Sequence, residues 1–373
     1  MDNNKKHKQF ITRCLQEETR VFYLSEPIRI STFYWAVASL FLLKEHKAVG
    51  HLAEKMEKYV LRCQNSDGGF GARPGYASNP LFTLSALQLL YILKKNKEII
   101  GDDSSEETEK LSKKEIKEKR PGEFTVQERK EELFMDLDRS SSTDSNIADG
   151  AIGEDSSARI PNYVLCNAYL ESIVTNEKLV GYDSVLDLRY VCCYIASKNL
   201  LSLLSLGGPE MFCIVTPMKR LLCNFISQCA NLDGGLGAMP GCESHSAYTF
   251  CGVSSLFLLG ELSVLSIYDT ALSIGLLQNK TGGLSGRVDK IEELCSTYWN
   301  FSSASLLGKE GYIDSEKVRK YVERCECSTG GYSDRPDGIP DLLHTFYALG
   351  CNSILDKNSI MEVLPTLSLC LFE

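Results

Sequence analysis

The sequence lacks any apolar run of the ~18–20 residues that a membrane-spanning helix needs. Residues 1–9 are polar and basic, and no apolar stretch follows them, which argues against a secretory leader. A surplus of basic residues is also missing, because 40 Lys and Arg stand against 49 Asp and Glu. The resulting net charge of −9 disfavours nucleic acid as the main partner. We therefore expect a soluble protein without a transmembrane segment.

Cysteine, in contrast, is abundant, with 15 residues among 373. A disulfide scaffold is one explanation, but the number is odd and several cysteines lie inside apolar stretches, as reduced core thiols do. These are Cys192, Cys193, Cys213, Cys223 and Cys251. Reduced thiols favour a cytoplasmic location.

One segment, about residues 98–160, is crowded with Asp, Glu, Lys and Ser and is poor in apolar residues. Such a composition cannot bury enough apolar surface to offset the entropy lost on ordering. The segment is predicted to be an insertion, helical in part around residues 106–132 and disordered after that.

A repeat runs through the rest of the chain. Four Gly-Gly pairs each precede an apolar run, in CQNSDGGFGARPG (63–75), CANLDGGLGAMPG (229–241), LQNKTGGLSGR (277–287) and CECSTGGYSDRPDG (325–338). Gly234, Gly282 and Gly330 follow one another at a fixed period of about 48 residues, a size typical of repeat arrays. The longer interval from Gly68 to Gly234 holds two periods and a remainder, which one degenerate repeat near residues 176–196 and the insertion would fill. Such a period indicates an array of units that bury their apolar faces on one another.

Each unit is predicted to be a helix, a glycine turn and a second helix. Glycine allows the positive φ of a helix C-cap and lets the turn pass close to its neighbours. The second helices are apolar nearly all round, so we expect them to be buried. Periodicity alone leaves two architectures open, an open superhelix and a closed double ring.

Four motifs, in order and in phase with the repeat, resemble the β subunits of protein prenyltransferases. They are DLRYVC (187–192), GCESHSAYTFCG (241–252), GGLSGRVDKIEELCSTYW (282–299) and GGYSDRPDGIPDLLHTFYALG (330–350). The resemblance covers nearly the whole chain apart from the insertion. It implies an all-α fold, a single (α/α)6 barrel or toroid of helical hairpins over residues 1–373.

The resemblance also implies a geranylgeranyltransferase. IRISTFYWAV (28–37) and NPLFTLSALQLL (79–90) look most like the type II, Rab-directed enzyme, whereas HKQFITRCL (7–15) and TFCGVSSLFLLG (249–260) lean towards type I. The implied activity is transfer of geranylgeranyl from its diphosphate to C-terminal cysteines of small GTPases, presented by a Rab escort protein if the enzyme is type II. The family works as an obligate heterodimer whose α subunit supplies a lysine to the diphosphate. A CaaX-directed type I or farnesyl enzyme is the first alternative.

Matching the motifs residue by residue implies three groups of site residues. A Zn²⁺ that deprotonates the substrate thiol would be bound by Glu293, Cys295 and His344. The diphosphate would be bound by His245, Arg287 and Lys290, the last two on one face if their segment is helical. The isoprenoid would contact Ser31, Arg189, Cys192, Tyr248, Cys251 and Trp299, with Ser31 and Cys192 small enough to favour a C20 chain.

Some positions depart from the family pattern. Glu293 stands where the family has Asp, Ser296 replaces a Tyr, Asn79 replaces a His, and Leu343 replaces an aromatic residue. These departures keep open an alternative of another class, a catalytically silent helical scaffold.

Overall fold

Thirteen α-helices occur in the computed structural model, which describes residues 3–16, 20–115, 161–174, 187–205 and 212–356. Their bounds are α1 Asn3–Cys14, α2 Arg20–Leu24, α3 Arg29–Leu42, α4 His46–Cys63, α5 Pro80–Glu115, α6 Tyr163–Ile173, α7 Leu188–Leu204, α8 Thr216–Cys229, α9 Ser246–Leu259, α10 Ile267–Leu276, α11 Leu294–Leu306, α12 Ser315–Arg324 and α13 Leu342–Leu355. None of the described helices combines the length and the apolar character needed to cross a bilayer.

The chain divides into two compact units, Met1–Ile100 with Pro161–Glu373, and Gly101–Ile160. The second unit falls within the predicted insertion. Helix α5 continues from Pro80 to Glu115, so the first part of that segment is helical. The remainder of the predicted insertion, residues 116–160, lies outside the described residues.

The first unit has an inner ring of six helices, which are α3, α5, α7, α9, α11 and α13. Direct packing joins α7 to α9, α9 to α11, α11 to α13, and α13 back to α3. Helix α5 bridges the remaining gap, because Ser85 Oγ lies 2.9 Å from Ser31 Oγ of α3 and Lys94 Nζ donates to Leu203 O of α7 at 2.9 Å. The ring is closed, so the all-α toroid prediction is confirmed and the open superhelix is excluded.

The outer layer consists of α1, α4, α6, α8, α10 and α12. Burial separates the two layers: α9 buries residues all round, from Ser246 to Leu256, whereas α12 buries only Val318, Tyr321 and Val322. A helix that is apolar on one stripe must cover a core on that side and face water on the other. Each inner helix except α5 is seen in contact with an outer partner that precedes or follows it in the chain.

One hydrogen bond recurs in every glycine-turn repeat. A threonine hydroxyl on the inner helix accepts from the backbone N–H thirteen residues earlier in four places. The threonines are Thr83, Thr249, Thr297 and Thr345, and the distances are 2.9–3.0 Å. The last three threonines are spaced by the same period as the glycines, so one sequence period corresponds to one structural unit.

The turns need glycine for two reasons: the backbone has a positive φ there, and it lies very close to the backbone of a neighbouring helix. Gly234 and Gly282 have φ of 84° and 102°. A Cβ added to Gly234 would lie 2.3 Å from Asp269 O in α10, and one on Gly282 would lie 2.2 Å from Lys317 O in α12. Each turn therefore packs against the backbone of the next outer helix, where no larger residue fits.

The outer layer closes in the same way, between distant parts of the chain. A Cβ on Gly330 would lie 2.3 Å from Lys6 O, so the last turn packs on α1. The next residue, Gly331, donates its N–H to His7 Nδ1 at 3.0 Å, and His7 Nε2 lies 3.1 Å from Glu326 Oε1. The His7 ring also stacks on Tyr332, with centroids 4.9 Å apart. Helix α1 thus occupies the place that the outer helix of a following repeat would fill.

The cysteines do not all lie in the core. Cys192, Cys193 and Cys251 are buried in the inner ring, as their apolar surroundings predict. Cys223 is half-buried and Cys213 is exposed, so the prediction of a core thiol is wrong for Cys213. Cys213 lies in an irregular stretch before α8, and its apolar neighbours in the sequence therefore do not form the buried face of a helix.

Candidate active site

Equivalent residues stand at the beginning of successive inner helices. His245, Glu293 and Asp341 immediately precede α9, α11 and α13 and are spaced by one repeat period. Asn79 and Asp187 hold the corresponding places before α5 and α7. Because the repeats share one orientation, these polar side chains gather at one end of the ring. That end contains most of the predicted site residues.

A cavity of about 300 Å³, partly open to solvent, lies at this end beside α9 and α11. Seven residues line it, and five of them carry charged or polar groups: His245, Arg287, Lys290, Glu293 and Arg335. All three residues predicted to bind the diphosphate are thus brought to one cavity. Such a concentration of cationic side chains can bind a polyanion.

Arg287 and Lys290 lie in a turn between the third glycine pair and α11, not on a helix. The Lys290 N–H donates to Arg287 O at 3.3 Å, and Ser285 Oγ donates to Lys290 O at 2.6 Å, so the turn has a defined shape. Arg287 Nη1 donates to Glu243 Oε2 at 2.9 Å. Lys290 makes no ion pair with any described residue. A turn, rather than a helical face, places the two cations together.

His245 presents an N–H group to the cavity. Its Nδ1 accepts from the Ala247 N–H at 3.1 Å, capping α9, which assigns the ring proton to Nε2. The Nε2 side of the ring faces Gly286, where an added Cβ would lie 2.9 Å away. Burial lowers the pKa of His245, and the positive charge of Arg287 lowers it further. His245 is therefore a neutral hydrogen-bond donor near pH 7.

Cys295 and His344 form a direct pair. The Cys295 Sγ lies 3.0 Å from His344 Nε2, and His344 Nδ1 lies 2.6 Å from Asp341 Oδ2. Asp341 also caps α13 by accepting from the His344 N–H at 2.9 Å. Burial acts to lower the pKa of His344, but its hydrogen bonds to Asp341 and Cys295 outweigh burial and raise that pKa to about 10. Burial raises the pKa of the Cys295 thiol, against the effect of His344.

This pair has the donor chemistry of a zinc site. A thiol and an imidazole are preferred zinc ligands, and a carboxylate on the far nitrogen of the histidine is the usual outer partner. The contact of Asp341 with Nδ1 fixes the orientation of the ring in which Nε2 faces Cys295. The protein therefore holds two of the three predicted ligands in a suitable arrangement.

Glu293, the third predicted ligand, has other partners. Its Oε1 accepts from Ser296 Oγ at 2.9 Å, and its Oε2 lies 3.5 Å from Arg335 Nη2. In the described part of the chain, no group of three His, Cys, Asp or Glu side chains is arranged to hold a metal ion. The Glu293 side chain, which is one methylene longer than that of Asp, thus lines the cationic cavity and contacts Ser296 and Arg335.

Two aromatic side chains lie beside His245. The Tyr248 and Trp299 rings lie 5.9 and 6.5 Å from the His245 ring, measured between centroids. Arg189 is 5.9 Å from the Tyr248 centroid and makes a two-nitrogen ion pair with Asp187, with Nε and Nη2 at 3.0 and 2.5 Å from Oδ2. Two of the predicted isoprenoid residues, Tyr248 and Trp299, therefore adjoin His245, and a third, Arg189, adjoins Tyr248.

The other three predicted isoprenoid residues are deeper. Cys192 on α7 and Cys251 on α9 are fully buried, and burial, together with the neighbouring Cys192, raises the pKa of Cys251. Ser31 is buried on α3, where its hydroxyl contacts Ser85 rather than any of the other predicted residues. Five of the six predicted isoprenoid residues thus lie on the consecutive inner helices α7, α9 and α11, whereas Ser31 lies on α3.

The departures from the family pattern have local structural roles. Asn79 Oδ1 accepts from the Leu81 N–H at 2.9 Å and so caps α5. Leu343 is partly buried against the core, and Ser296 binds Glu293. Each replacement is therefore compatible with the toroid.

Sequence reasoning missed two residues at the site, Arg335 and the supporting role of Asp341. The repeat period could have found both, because Arg335 follows Arg287 by one period and Asp341 follows Glu293 by one period. The period that is plain in the glycines also holds for the polar positions between them.

A family model described as prenyltransferase alpha-alpha toroid domain matches residues 3–137 and 152–369. The chain belongs to this prenyltransferase toroid family. The predicted relationship to prenyltransferase β subunits is confirmed.

Individual relatives support the assignment. The toroid is 25% identical over 300 residues to the geranylgeranyl transferase type-2 subunit beta of Candida albicans, covering 79% of this chain and 70% of that protein. It is also 25% identical over 267 residues to the protein farnesyltransferase subunit beta of Arabidopsis thaliana, covering 71% of this chain but only 41% of that one. A solved structure, Candida albicans protein geranylgeranyltransferase-I complexed with GGPP, superposes with a TM-score of 0.64 at 16% identity, covering 98% and 94% of the two chains. At that identity the superposition shows the shared fold.

Proposed function

We propose that this chain is the catalytic β subunit of a protein geranylgeranyltransferase that modifies C-terminal cysteines of Rab-type small GTPases. The observation that carries the proposal is the cationic cavity of His245, Arg287 and Lys290 within a prenyltransferase toroid. Its neighbours, Cys295 and His344, have the chemistry needed to bind zinc. A type I geranylgeranyltransferase or a farnesyltransferase is the alternative, since relatives of those types have comparable similarity.

The cavity residues would act on the diphosphate leaving group. In the reaction the bond between the first isoprenoid carbon and the diphosphate oxygen breaks, and its electron pair leaves with the diphosphate. A bond forms between the same carbon and the substrate sulfur. Arg287, Lys290 and the Nε2–H of His245 would stabilise the charge that accumulates on the departing oxygens. Because His245 is neutral, it would contribute a directed hydrogen bond rather than a charge.

The thiol would be activated next to this cavity. Zinc, when bound by Glu293, Cys295 and His344, would lower the pKa of the substrate thiol so that it reacts as a thiolate. Asp341 would hold the His344 ring in place. For Glu293 to reach the metal, its carboxylate must turn away from Ser296 and Arg335.

The isoprenoid would extend from the cavity into the ring interior. Tyr248 and Trp299 would form aromatic walls beside the diphosphate, and Arg189 would lie near the same end. Cys192, Cys251 and Ser31 are small side chains on the inner helices. Small residues leave volume for a longer lipid, which supports geranylgeranyl over farnesyl.

We further propose that the chain acts only in a heterodimer with a prenyltransferase α subunit. The test is to co-express the chain with an α subunit, then offer geranylgeranyl or farnesyl diphosphate with either a Rab plus its escort protein or a CaaX peptide. Labelling of the Rab by geranylgeranyl is the expected result. Labelling of the CaaX peptide alone would contradict the type II assignment. Failure to label any substrate or bind either diphosphate would favour the silent scaffold.

A further inference from the structure

We propose that Arg335 is an additional diphosphate-binding residue at the cationic cavity. The inference rests on the proposed function and deepens it, since it concerns the anionic end of the same substrate. Arg335 contributes to the cavity wall together with His245, Arg287 and Lys290. None of the family motifs that pointed to the other three residues pointed to Arg335.

Arg335 holds the same place in its repeat as Arg287, one full period later in the numbering. The residue before each arginine docks on the beginning of an inner helix: Gly286 O accepts from the Ser246 N–H, and Asp334 O accepts from the Leu294 N–H, both at 2.8 Å. Two arginines thus project from equivalent points of neighbouring turns, one beside α9 and one beside α11. The cavity lies between these helix ends.

The backbone of Arg335 is fixed while its guanidinium remains accessible. Its carbonyl accepts from Ser333 Oγ at 2.6 Å and from the Gly338 N–H at 3.2 Å. The side chain is 47% exposed. Its ion contacts are long, 3.5 Å from Nη2 to Glu293 Oε2 and 3.7 Å from Nε to Asp334 Oδ2. At such distances the guanidinium N–H groups keep most of their capacity to bind a ligand.

Without Arg335, the acidic neighbours would offset most of the positive charge at the cavity. Arg287 already shares its charge with Glu243 at 2.9 Å, and Glu293 adds a negative charge to the wall. Lys290 and Arg335 restore a positive balance on the α11 side. An arginine fork can bind two oxygens of a phosphate group at once, which a lysine cannot do. A diphosphate between Arg287 and Arg335 would be held from both sides.

The experiment measures binding of inorganic pyrophosphate and of geranylgeranyl diphosphate to the full-length chain co-expressed with an α subunit. Arg335→Gln should weaken both affinities about tenfold or more, the usual effect of losing a hydrogen bond to a charged group. Binding of geranylgeraniol, which has no charge, should be unchanged. Arg287→Gln serves as the positive reference.

Arg73→Gln is the matched control, because Arg73 has the equivalent place in the first repeat. There Ala72 O accepts from the Ile30 N–H at 3.0 Å, as Gly286 and Asp334 do in their repeats. Arg73 pairs with Glu26 and does not line the cavity. Its replacement should leave pyrophosphate affinity at the wild-type value.

The outcomes separate this inference from the function on which it rests. Weaker pyrophosphate binding in Arg287→Gln but wild-type binding in Arg335→Gln would overturn the role of Arg335 and leave the proposed function intact. A wild-type complex that binds neither pyrophosphate nor geranylgeranyl diphosphate would overturn both. Thermal unfolding checks each variant, and if Arg335→Gln does not fold, Arg335→Met makes the same test with a side chain of similar length.

Discussion

At the scale of single residues, the Asp341–His344–Cys295 chain of contacts has the most direct chemical meaning. Asp341 performs two tasks, since one carboxylate oxygen caps α13 and the other holds the His344 ring. A residue that orients a metal ligand affects affinity without touching the metal.

We predict that Asp341→Asn lowers zinc affinity about 10–100-fold, because the amide orients His344 less firmly and makes it a weaker ligand. Cys295→Ser should lose most of the zinc, since a hydroxyl is a poorer ligand than a thiolate. Zinc per chain and competition with a chelator are the measurements. Asp314→Asn is the control, because Asp314 caps α12 through the Lys317 N–H at 3.1 Å, away from these residues. Equal zinc affinity in the Asp341 and Asp314 variants would contradict the predicted site.

A second residue-scale prediction concerns the protonation of His245. Burial lowers the pKa of His245 most, and Arg287 is the largest of the three neighbouring charges that act on that pKa and the one that lowers it further, whereas Glu293 and Glu243 raise it. Replacing Arg287 by Gln removes a positive charge, so protonation of His245 becomes easier and its pKa should rise. NMR titration of the imidazole in wild type and variant makes the comparison. A pKa that stayed the same or fell would show that Arg287 is not near His245 in solution.

At the scale of elements, the regular part of the fold was predictable and the irregular part was not. Three evenly spaced glycine pairs predicted the hairpins from α8 to α13, and the recurring threonine hydrogen bond explains why their period is strict. The degenerate repeat near residues 176–196 overlaps α7, but residues 175–186 lie outside the described structure. The pairing of α1 with the last turn involves His7 and Gly331, too far apart for any local pattern to reveal.

Helix α1 provides the prediction at this scale. His7→Ala leaves the Gly331 N–H without its acceptor in a buried place, which costs about 1–3 kcal/mol in the free energy of unfolding. His51→Ala, at an exposed position on α4, should change that free energy little. Chemical denaturation of both variants gives the comparison. Equal stabilities would mean that α1 does not hold the outer layer closed.

The same contact predicts a pH dependence. Burial lowers the pKa of His7 from its ordinary value of 6.5, although Glu326 acts in the opposite direction. The unfolded chain then binds the proton more readily than the folded one, so the His7 contribution to stability is present above pH 6.5 and is lost as pH falls through the lowered value. His7→Ala should abolish this part of the pH profile.

At the scale of the whole molecule, the closed ring explains why an insertion can be accommodated. The unit Gly101–Ile160 begins within the last part of α5 and ends before α6, while the contacts that close the ring come from residues of the other unit. We predict that replacing residues 101–160 by a flexible Gly/Ser linker leaves the midpoint of thermal unfolding and pyrophosphate binding nearly unchanged. Deleting α6, Tyr163–Ile173, is the contrasting control and should prevent folding, because α6 covers α7. Insoluble protein after the first deletion would show that the insertion belongs to the core.

The fold and the family could be predicted from the sequence because they depend on the spacing of the glycine pairs and on the order of the four motifs. The details of the site were less accessible, because they depend on which of several possible partners a side chain selects. Glu293 illustrates this: its place before α11 was predictable, but its contacts with Ser296 and Arg335 depend on the neighbouring turn. Likewise the sequence aligned Ser31 with a lipid pocket, and only the structure shows its contact with Ser85.

Because α1 completes the outer layer, the order of synthesis determines when this layer can close. The contact between His7 and Gly331 joins residues 324 positions apart, so α1 leaves the ribosome long before its partner exists. At about 5–20 residues per second, roughly 15–65 s of translation separate the two. During that interval the apolar side of α1, including Phe10 and Ile11, has no completed ring to cover it. Nascent chains of this protein should therefore depend on a chaperone that shields the N-terminal helix until the last repeat emerges.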